Sequence, residues 1–329
     1  MDEGECAKHG SLKELVYRLS DDGRRERKVG VFDLKDDSQT TPGPGVRSKV
    51  AILTDSTCDL DPAVIAAYGI EVVPLHIVYG NREYRDRVDI TPQEVYDHMN
   101  VEVPKTSLPS YAEIAEVFRR LQAADVTHVL AIHISSGLSG TYDTVCSIAR
   151  EFKDMVVEVI DSKMLSMGLG FPVLEAAREL QHSLDFYRAV AAAKRVIRDV
   201  KGFYVLSTLE YLIKGGRIGY VAGTFGQLLN IKPIISLNEE GKYYTLMKVR
   251  GREQSLRKLA DLLKETVKEK ISNVAIVHGG AEQEANELHA KAKELANIKE
   301  LYLNQISPAM GVHTGPGLVG FLVYPVISS

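Results

Sequence analysis

Residues 135–142, with the sequence SSGLSGTY, form the stretch whose residue types could bind an anion. The apolar run 128–134 before it predicts a buried parallel strand, and the spacing of Val145, Ile148 and Ala149 after it predicts a helix. A turn of this composition that opens a helix offers backbone N–H groups, hydroxyl donors and the positive end of the helix dipole. The ligand could be a phosphate or a carboxylate. The ordinary structural interpretation is a tight connection capped by serines.

Two common catalytic templates fit this stretch poorly. The nucleophile elbow requires Gly-x-Ser-x-Gly, and residues 137–141 read GLSGT, with threonine in the last place. A Walker-type phosphate loop requires Gly-Lys followed by Ser or Thr, and that triplet does not occur in the sequence. A Ser–His pair outside an elbow, formed by Ser139 and His313, stays open as an alternative and would make the chain a stand-alone hydrolase.

Four other short polar or glycine-rich motifs are predicted to lie at strand ends or helix starts. They are TDST at 54–57, KTSLPS at 105–110, KGGRI at 214–218 and HTGPG at 313–317. In open α/β sheets, ligands bind in the crevice beyond the carboxyl ends of the strands. Because three of the five motifs lie in the first half of the chain and two in the second, a site between two lobes is predicted.

The composition of the whole chain narrows the function classes. The 329 residues are 45% hydrophobic and carry a net charge of −4, which argues against a general nucleic-acid binder. The three cysteines lack metal-ligand or disulfide spacing and favour a reducing cytoplasm, and the apolar stretches are too short to cross a membrane. No metal site is predicted, because His76, His133, His278 and His313 have neither i,i+4 nor cysteine-paired spacing.

From residue 49 onward the hydrophobic pattern alternates between strands and helices. The predicted strands are 50–53, 70–78, 128–134, 156–160, 203–206, 234–237, 243–249, 274–277, 301–303 and 318–323. The predicted helices include one that begins after Asp61, two that follow capping boxes at Thr91 and Ser110, and others over 167–180, 184–200, 256–267 and 284–295. This pattern predicts an α/β protein of two lobes, with the ligand site between them. The N-terminal lobe is predicted as a mostly parallel sheet with helices on both faces, and the second lobe as a further α/β unit.

The chain is predicted to have three regions. Residues 1–48 are predicted to be a weakly ordered extension, with a basic cluster at 24–28, the linker-like sequence TTPGPG at 40–45 and a possible short helix over 12–19. Residues 49–165 are predicted to form the first α/β lobe and residues 166–329 the second.

Taken together, the motifs resemble those of the DegV family of bacterial proteins. The matching segments occur in the family's order within residues 49–326, at 54–57, 72–75, 88–91, 105–107, 135–142, 159–162, 168–170, 212–218, 231–233 and 313–317. The resemblance implies a two-lobed α/β protein that binds one long-chain fatty acid, such as palmitate or oleate, and no other cofactor. It also implies a carrier subunit of bacterial fatty acid kinase, whose separate kinase subunit supplies ATP and phosphorylates the bound acyl group for phospholipid synthesis.

The resemblance also assigns roles to individual residues. It implies that Thr106 and Ser139 bind the carboxylate, and that His313 lies near the head group. It implies that Arg217 works with the kinase subunit. The residues implied to support the carboxylate-binding loops are Ser107, Ser135, Ser136 and Gly140.

The chain departs from the family pattern in two places. Leu108 stands where glutamine is usual, which leaves the loop hydroxyls in place, and residues 1–48 have no family counterpart. The chemistry of the motifs agrees with the implied ligand, because hydroxyls and a histidine can give a carboxylate short hydrogen bonds. An aliphatic interior without tryptophan suits an acyl tail. A third interpretation, a small-molecule kinase, is disfavoured by the missing phosphate loop.

Overall fold

The computed structural model describes residues 31–33, 49–224 and 230–326. In chain order the strands are β1 (Phe32–Asp33), β2 (Lys49–Asp55), β3 (Glu71–Val73), β4 (His76–Tyr79), β5 (Arg82–Arg85), β6 (Lys105–Ser107), β7 (His128–His133), β8 (Val156–Asp161), β9 (Lys201–Val205), β10 (Ile234–Leu237), β11 (Tyr243–Met247), β12 (Ser272–Gly279), β13 (Ile298–Gln305) and β14 (Leu318–Pro325). The helices are α1 (Pro62–Ala67), α2 (Pro92–His98), α3 (Tyr111–Ala123), α4 (Thr141–Ala149), α5 (Met167–Ser183), α6 (Phe186–Asp199), α7 (Glu210–Lys214), α8 (Arg252–Thr266), α9 (Glu282–Lys293) and α10 (Pro308–Thr314).

The starts of the first three helices follow their capping residues. The Asp61 side chain accepts a hydrogen bond from Ala63 N at 2.7 Å, and Pro62 occupies the first turn of α1. Thr91 and Ser110 form complete capping boxes at the starts of α2 and α3. The helix starts predicted at these positions are confirmed.

The first sheet has the strand order β1–β2–β7–β8, with β3 also paired to β2. Strands β2, β3, β7 and β8 run parallel, and the short β1 is antiparallel to β2. Helices α3 and α4 pack on one face and α5 and α6 on the other. Because both faces are covered, β2 and β7 are buried along nearly their whole length, as their continuous apolar sequences indicate. The predicted parallel sheet with helices on both faces is confirmed.

The second sheet has six strands in the order β11–β10–β9–β14–β12–β13. Neighbouring strands are antiparallel except for β12 and β13, which are parallel. Helices α8 and α9 cover one face through an apolar cluster that includes Leu259, Leu263 and Leu288. The other face packs on α5 and α6, so these two helices lie between the two sheets and join the lobes through one apolar core.

The prediction of one strand over 70–78 is wrong. The strand is interrupted at Pro74, because proline has no N–H to donate to a neighbouring strand. Strand β3 ends before Pro74 and β4 begins after it. Strand β3 stays on the first sheet, whereas β4 pairs with β5 and β6 in a separate antiparallel sheet. Leu75 N, just past the break, donates to the Ser56 hydroxyl at 3.0 Å. Because β6 carries Thr106, this break positions a candidate site residue.

Most of residues 1–48 lies outside the described residues, including the predicted helix over 12–19, the basic cluster and the linker. Phe32–Asp33 are described and pair antiparallel with the start of β2. Phe32 packs against the core between the sheets, and Val31 packs against the core on the opposite face of the first sheet. These residues therefore take part in the first sheet, a contribution that composition alone did not predict. No helix within the described ranges is long and apolar enough to cross a membrane.

Candidate ligand-binding site

A crevice opens between the lobes, near the carboxyl ends of β2 and β7. Its volume is about 640 Å³, which includes its open mouth. Residues from both lobes and from the small sheet line it: Thr57, Leu75, Thr106, Ser107, Leu108, Ile134, Leu138, Ser139, Gly140, Leu165, Arg217, Tyr243, Ala309, Met310, His313 and Thr314. Seven of these sixteen residues have apolar side chains, and the polar ones come largely from the motifs that the sequence analysis singled out. The predicted site between the lobes therefore has a physical counterpart.

His313 and Thr106 meet in this crevice. His313 lies in the last turn of α10 and Thr106 in β6, and His313 Nε2 lies 2.7 Å from Thr106 Oγ1. The other ring nitrogen, Nδ1, has no hydrogen-bond partner within the described ranges. Burial lowers the pKa of His313 to about 4, and the positive charge of Arg217 adds to the effect. The imidazole is therefore neutral at neutral pH, with one nitrogen able to donate and the other to accept.

Helix α10 is held in place by two buried carboxylates of the first lobe. Asp59 accepts a hydrogen bond from Ser307 N at 2.9 Å, and Asp86 accepts one from Ala309 N at 3.2 Å. Both acceptors lie at the helix N-terminus, where unpaired N–H groups favour negative charge. Burial raises the pKa of both groups, that of Asp86 to about 7, and Arg87 offsets the effect on Asp59 through a 2.8 Å ion pair. The position of His313 therefore depends on these contacts between the lobes.

The loop at 135–140 brings Ser139 and Gly140 to the crevice. Gly140 is the N-cap of α4 and makes no side-chain capping bond. The Ser139 hydroxyl lies 2.9 Å from Thr141 Oγ1 and accepts a longer bond from Thr141 N at 3.4 Å. Ser139 thus has a weak link to the helix start and a hydroxyl that lines the crevice.

Ser135 and Ser136 do not line the crevice. The buried Ser135 hydroxyl donates to the Gly241 carbonyl oxygen at 2.9 Å, which ties the loop to the second lobe. Ser136 Oγ accepts a bond from Lys163 Nζ at 3.1 Å, and Ser136 N donates to Asp161 at 3.2 Å. These two serines therefore brace the loop, which agrees with a supporting position and not with direct ligand contact.

Ser107 lines the crevice, but its hydroxyl is already bound. It donates to Glu83 Oε1 at 3.3 Å, and Glu83 also lies 2.8 Å from His76 Nδ1. The His76 ring contacts Glu113 Oε1 at 2.9 Å on its other nitrogen. This chain of polar contacts links β6, which carries Thr106, to β5, β4 and α3.

Arg217 reaches across the crevice. It follows the C-terminus of α7 and the exposed Gly216, whose φ of +69° is the left-handed conformation that glycine adopts most easily. Its Nε donates to the Leu138 carbonyl oxygen at 3.0 Å and its Nη1 to the Gly215 carbonyl oxygen at 2.8 Å. The half-buried side chain turns toward the crevice and links the two lobes.

The hydrogen bonds of the site separate the two residues of the hydrolase alternative. His313 is bonded to Thr106, and Ser139 is bonded to Thr141. A nucleophile–base pair between Ser139 and His313 is therefore not formed in this arrangement. Within the described ranges, no group of three His, Cys, Asp or Glu side chains lies close enough together to hold a metal ion.

Sequence reasoning missed most of the apolar lining. The lining residues outside the predicted site are Thr57, Leu75, Leu108, Ile134, Leu138, Leu165, Tyr243, Ala309, Met310 and Thr314. Four of these residues belong to short motifs that the sequence analysis singled out, and that placement could have identified them: Thr57, Leu108, Leu138 and Thr314. The sequence gives no signal that Tyr243 and Met310 line a crevice, because both resemble ordinary core residues and reach the crevice only through the packing of the two lobes.

Comparison with known proteins agrees with the motifs. A family model described as "Uncharacterised protein, DegV family" matches residues 49–326. A DegV domain-containing protein of Clostridium acetobutylicum is 43% identical over 276 residues, which cover 84% of this chain and 99% of that protein. A fatty-acid-binding DegV family protein from Thermus thermophilus has a TM-score of 0.79 at 31% identity, covering 84% of this chain and 99% of that chain. A stearic-acid-binding protein from Eubacterium ventriosum has a TM-score of 0.78 at 28% identity, covering 84% and 98% respectively.

Proposed function

The chain belongs to the DegV family, and on that basis we propose that it binds one long-chain fatty acid in the crevice, with the carboxylate at Thr106, Ser139 and His313. The observation that carries the proposal is a mainly apolar crevice whose polar end is built from two hydroxyls and a neutral imidazole. Relatives of similar fold are described as fatty-acid-binding proteins, which supports the same ligand class.

The head-group chemistry follows from the donors available. The hydroxyls of Thr106 and Ser139 can each turn to donate to a carboxylate oxygen, and such charge-assisted bonds are short and strong. When the Thr106 hydroxyl donates to the carboxylate, its oxygen can accept a hydrogen bond from His313 Nε2, provided that the imidazole proton lies on that nitrogen. Neutral donors leave the carboxylate with its charge and with lone pairs free. An oxygen of the head group thus stays available to a phosphoryl donor.

The tail would supply most of the affinity. The apolar lining residues include Leu75, Ile134, Leu138, Leu165 and Met310. Burial of each CH₂ group of an acyl chain contributes roughly 0.8 kcal/mol, so a long chain gains far more from the crevice than its head group does. Palmitate and oleate are the expected ligands.

We further propose that the chain acts as a carrier without turnover of its own, and that it presents the carboxylate to a separate ATP-dependent fatty acid kinase subunit. The sequence lacks a phosphate loop and a nucleophile elbow, and Ser139 and His313 are bonded to different partners. ATP, its metal ion and any general base would then belong to the kinase subunit. The acyl phosphate formed would serve phospholipid synthesis in the cytoplasm, the compartment that the cysteine usage favours.

Native mass spectrometry of the purified chain tests the proposal. We expect a bound mass that matches one long-chain fatty acid and that disappears after delipidation and returns on adding palmitate or oleate. Incubation of the pure chain with an acyl phosphate or a fatty acyl ester is expected to give no hydrolysis above background. Hydrolysis that is lost in Ser139→Ala would instead support the hydrolase, and a chain that never takes up fatty acid would refute the carrier.

A further inference from the structure

Beside its apolar side chains, the crevice is lined by one tyrosine. Tyr243, at the start of β11, is 4% exposed and lines the crevice with Leu138, Leu165 and Met310. Its hydroxyl has no hydrogen-bond partner in the described part of the chain. A buried tyrosine hydroxyl usually finds a partner, and leaving it unpaired is unfavourable. Phenylalanine would fill the same space without that cost.

The other hydroxyls that line the crevice are all engaged. The Thr57 hydroxyl donates to Asp55 Oδ1 at 2.5 Å, and the Thr314 hydroxyl donates to the Met310 carbonyl oxygen at 3.1 Å. The three engaged hydroxyls of the polar end belong to Thr106, Ser107 and Ser139. Among the described lining residues, Tyr243 therefore offers the one uncommitted hydroxyl.

The neighbouring Tyr204 provides the contrast. Its ring meets that of Tyr243 edge-on, with the centroids 6.4 Å apart. The Tyr204 hydroxyl also has no partner among the described residues, but it is buried inside the core, and Tyr204 does not line the crevice. Gly202 and Gly320 make room for this ring, because a Cβ at either position would collide with it. Tyr204 is thus a packing residue, whereas Tyr243 reaches the space that a ligand would occupy.

We propose that the Tyr243 hydroxyl recognises a hydrogen-bond acceptor within the acyl chain, which makes Tyr243 a specificity-determining residue of the crevice. This inference rests on the proposed function, since it needs an acyl chain in the crevice. Burial raises the pKa of the Tyr243 phenol, so the group stays a donor at neutral pH. The acceptor has two possible sources, the π electrons of a double bond or the oxygen of a hydroxyl on the chain. The oxygen is the stronger acceptor of the two.

Competition binding to the full-length, delipidated chain tests the inference. The probes are stearate, oleate, vaccenate and hydroxystearates that carry the hydroxyl at different chain positions. The wild type is expected to prefer at least one acceptor-bearing chain over stearate by about three- to tenfold, the range of one neutral hydrogen bond. Tyr243→Phe is expected to lose that preference, so that the ratio of its affinities for the acceptor-bearing chain and for stearate falls toward one. Tyr204→Phe, which removes a neighbouring hydroxyl outside the crevice, is expected to keep the preference.

The outcomes separate this inference from the proposed function. A wild type that binds all the chains equally, or a Tyr243→Phe variant that keeps the wild-type preference, overturns the role of Tyr243 and leaves fatty acid binding intact. A wild type that binds none of them overturns the proposed function itself. If Tyr243→Phe loses only the preference for oleate and vaccenate, the acceptor is a double bond. If it loses only the preference for a hydroxystearate, the acceptor is an oxygen. If a variant fails to fold, the wild-type affinities for stearate and for the acceptor-bearing chains still test the inference.

Discussion

His313 Nε2 lies 2.7 Å from Thr106 Oγ1, although 207 positions separate the two residues in the chain. The contact joins the last turn of α10 to β6, and so joins the second lobe to the small antiparallel sheet. Asp59 and Asp86, both in the first lobe, hold the other end of α10. The polar end of the crevice therefore forms only when the two lobes are packed together. Substitutions at the contacts between the lobes are expected to change the affinity for the ligand.

Removal of both head-group hydroxyls is expected to weaken fatty acid binding. In the Thr106→Ala/Ser139→Ala double variant, the carboxylate loses two donors, and loss of one neutral partner of a charged group costs roughly 1.5–3 kcal/mol. Isothermal titration with palmitate measures the effect. Ser136→Ala is the matched control, because its hydroxyl belongs to the same loop but contacts Lys163 outside the crevice. Unchanged affinity in the double variant would place the head group elsewhere.

The role of the contact between His313 and Thr106 can be tested by a substitution at Gly215, which lies next to the other nitrogen of the His313 ring. Gly215 has a φ of −82°, which suits any residue, but a Cβ there would collide with His313 Nδ1. Gly215→Ala is expected to push the imidazole away from Thr106 and to lower fatty acid affinity several-fold without unfolding the chain. Gly223→Ala is the control, since a Cβ there meets nothing within 4 Å. Equal affinities of the two variants would mean that the His313–Thr106 contact does not matter for binding.

The sequence predicted the parts of the molecule that local rules determine. Capping boxes marked helix starts, and continuous apolar runs marked β2 and β7, because these signals depend on neighbours in the chain. The family resemblance carried by the short motifs assigned the head group to Thr106, Ser139 and His313, and all three line one crevice.

The parts that could not be predicted depend on contacts between distant segments. Helices α7 and α10 have 5 and 7 residues, too few to show a clear helical period in the sequence. The departure of β4 to a separate sheet follows from Pro74 and from partners far along the chain. Tyr243 became recognisable as a lining residue only once the second sheet was packed against the first lobe.

Asp86 is expected to make the stability of the fold depend on pH. Burial raises its pKa from 3.8 to about 7, so the folded chain binds this proton more tightly than the unfolded chain does. The stability that the proton contributes is fully present below the unfolded value and is lost as pH rises through about 7. In Asp86→Asn, the amide can donate to Ser56 Oγ while its oxygen accepts from Ala309 N, which keeps both contacts without the charge.

Urea unfolding of the wild type and of Asp86→Asn at several pH values between acid and neutral measures this effect. The free energy of unfolding of the wild type is expected to fall, relative to that of the variant, as pH rises across the window. Other carboxyl groups titrate in both proteins and cancel in the difference. Parallel pH profiles would show that Asp86 has the same proton affinity in the folded and unfolded states.

Arg217 is expected to serve the kinase subunit more than the fatty acid. Two of its nitrogens donate to the Leu138 and Gly215 carbonyl oxygens, which holds the guanidinium at the crevice. Arg217→Ala is expected to bind fatty acid at near wild-type affinity, but the fatty acid bound to it is expected to be phosphorylated at least about tenfold more slowly by the kinase subunit. The reason is that the forked guanidinium suits phosphate or carboxylate groups of a partner. Arg217→Lys keeps the charge without the fork and is expected to recover only part of the rate. A folded Arg217→Ala chain that purifies without lipid would assign Arg217 to fatty acid binding instead.

Truncation separates the part of the N-terminal extension that joins the fold from the part before it. A chain that begins at Gly30 keeps the pairing of Phe32–Asp33 with β2, whereas a chain that begins at Ser48 loses it together with the packing of Val31 and Phe32. The first is expected to melt like the full chain, and the second a few degrees lower, since about 1 kcal/mol shifts the Tm of a chain this long by roughly 2–4 °C. Both are expected to retain the bound fatty acid, because none of these residues lines the crevice. Insolubility of the Ser48 chain, or its purification without lipid, would show that the extension is an integral part of the first lobe.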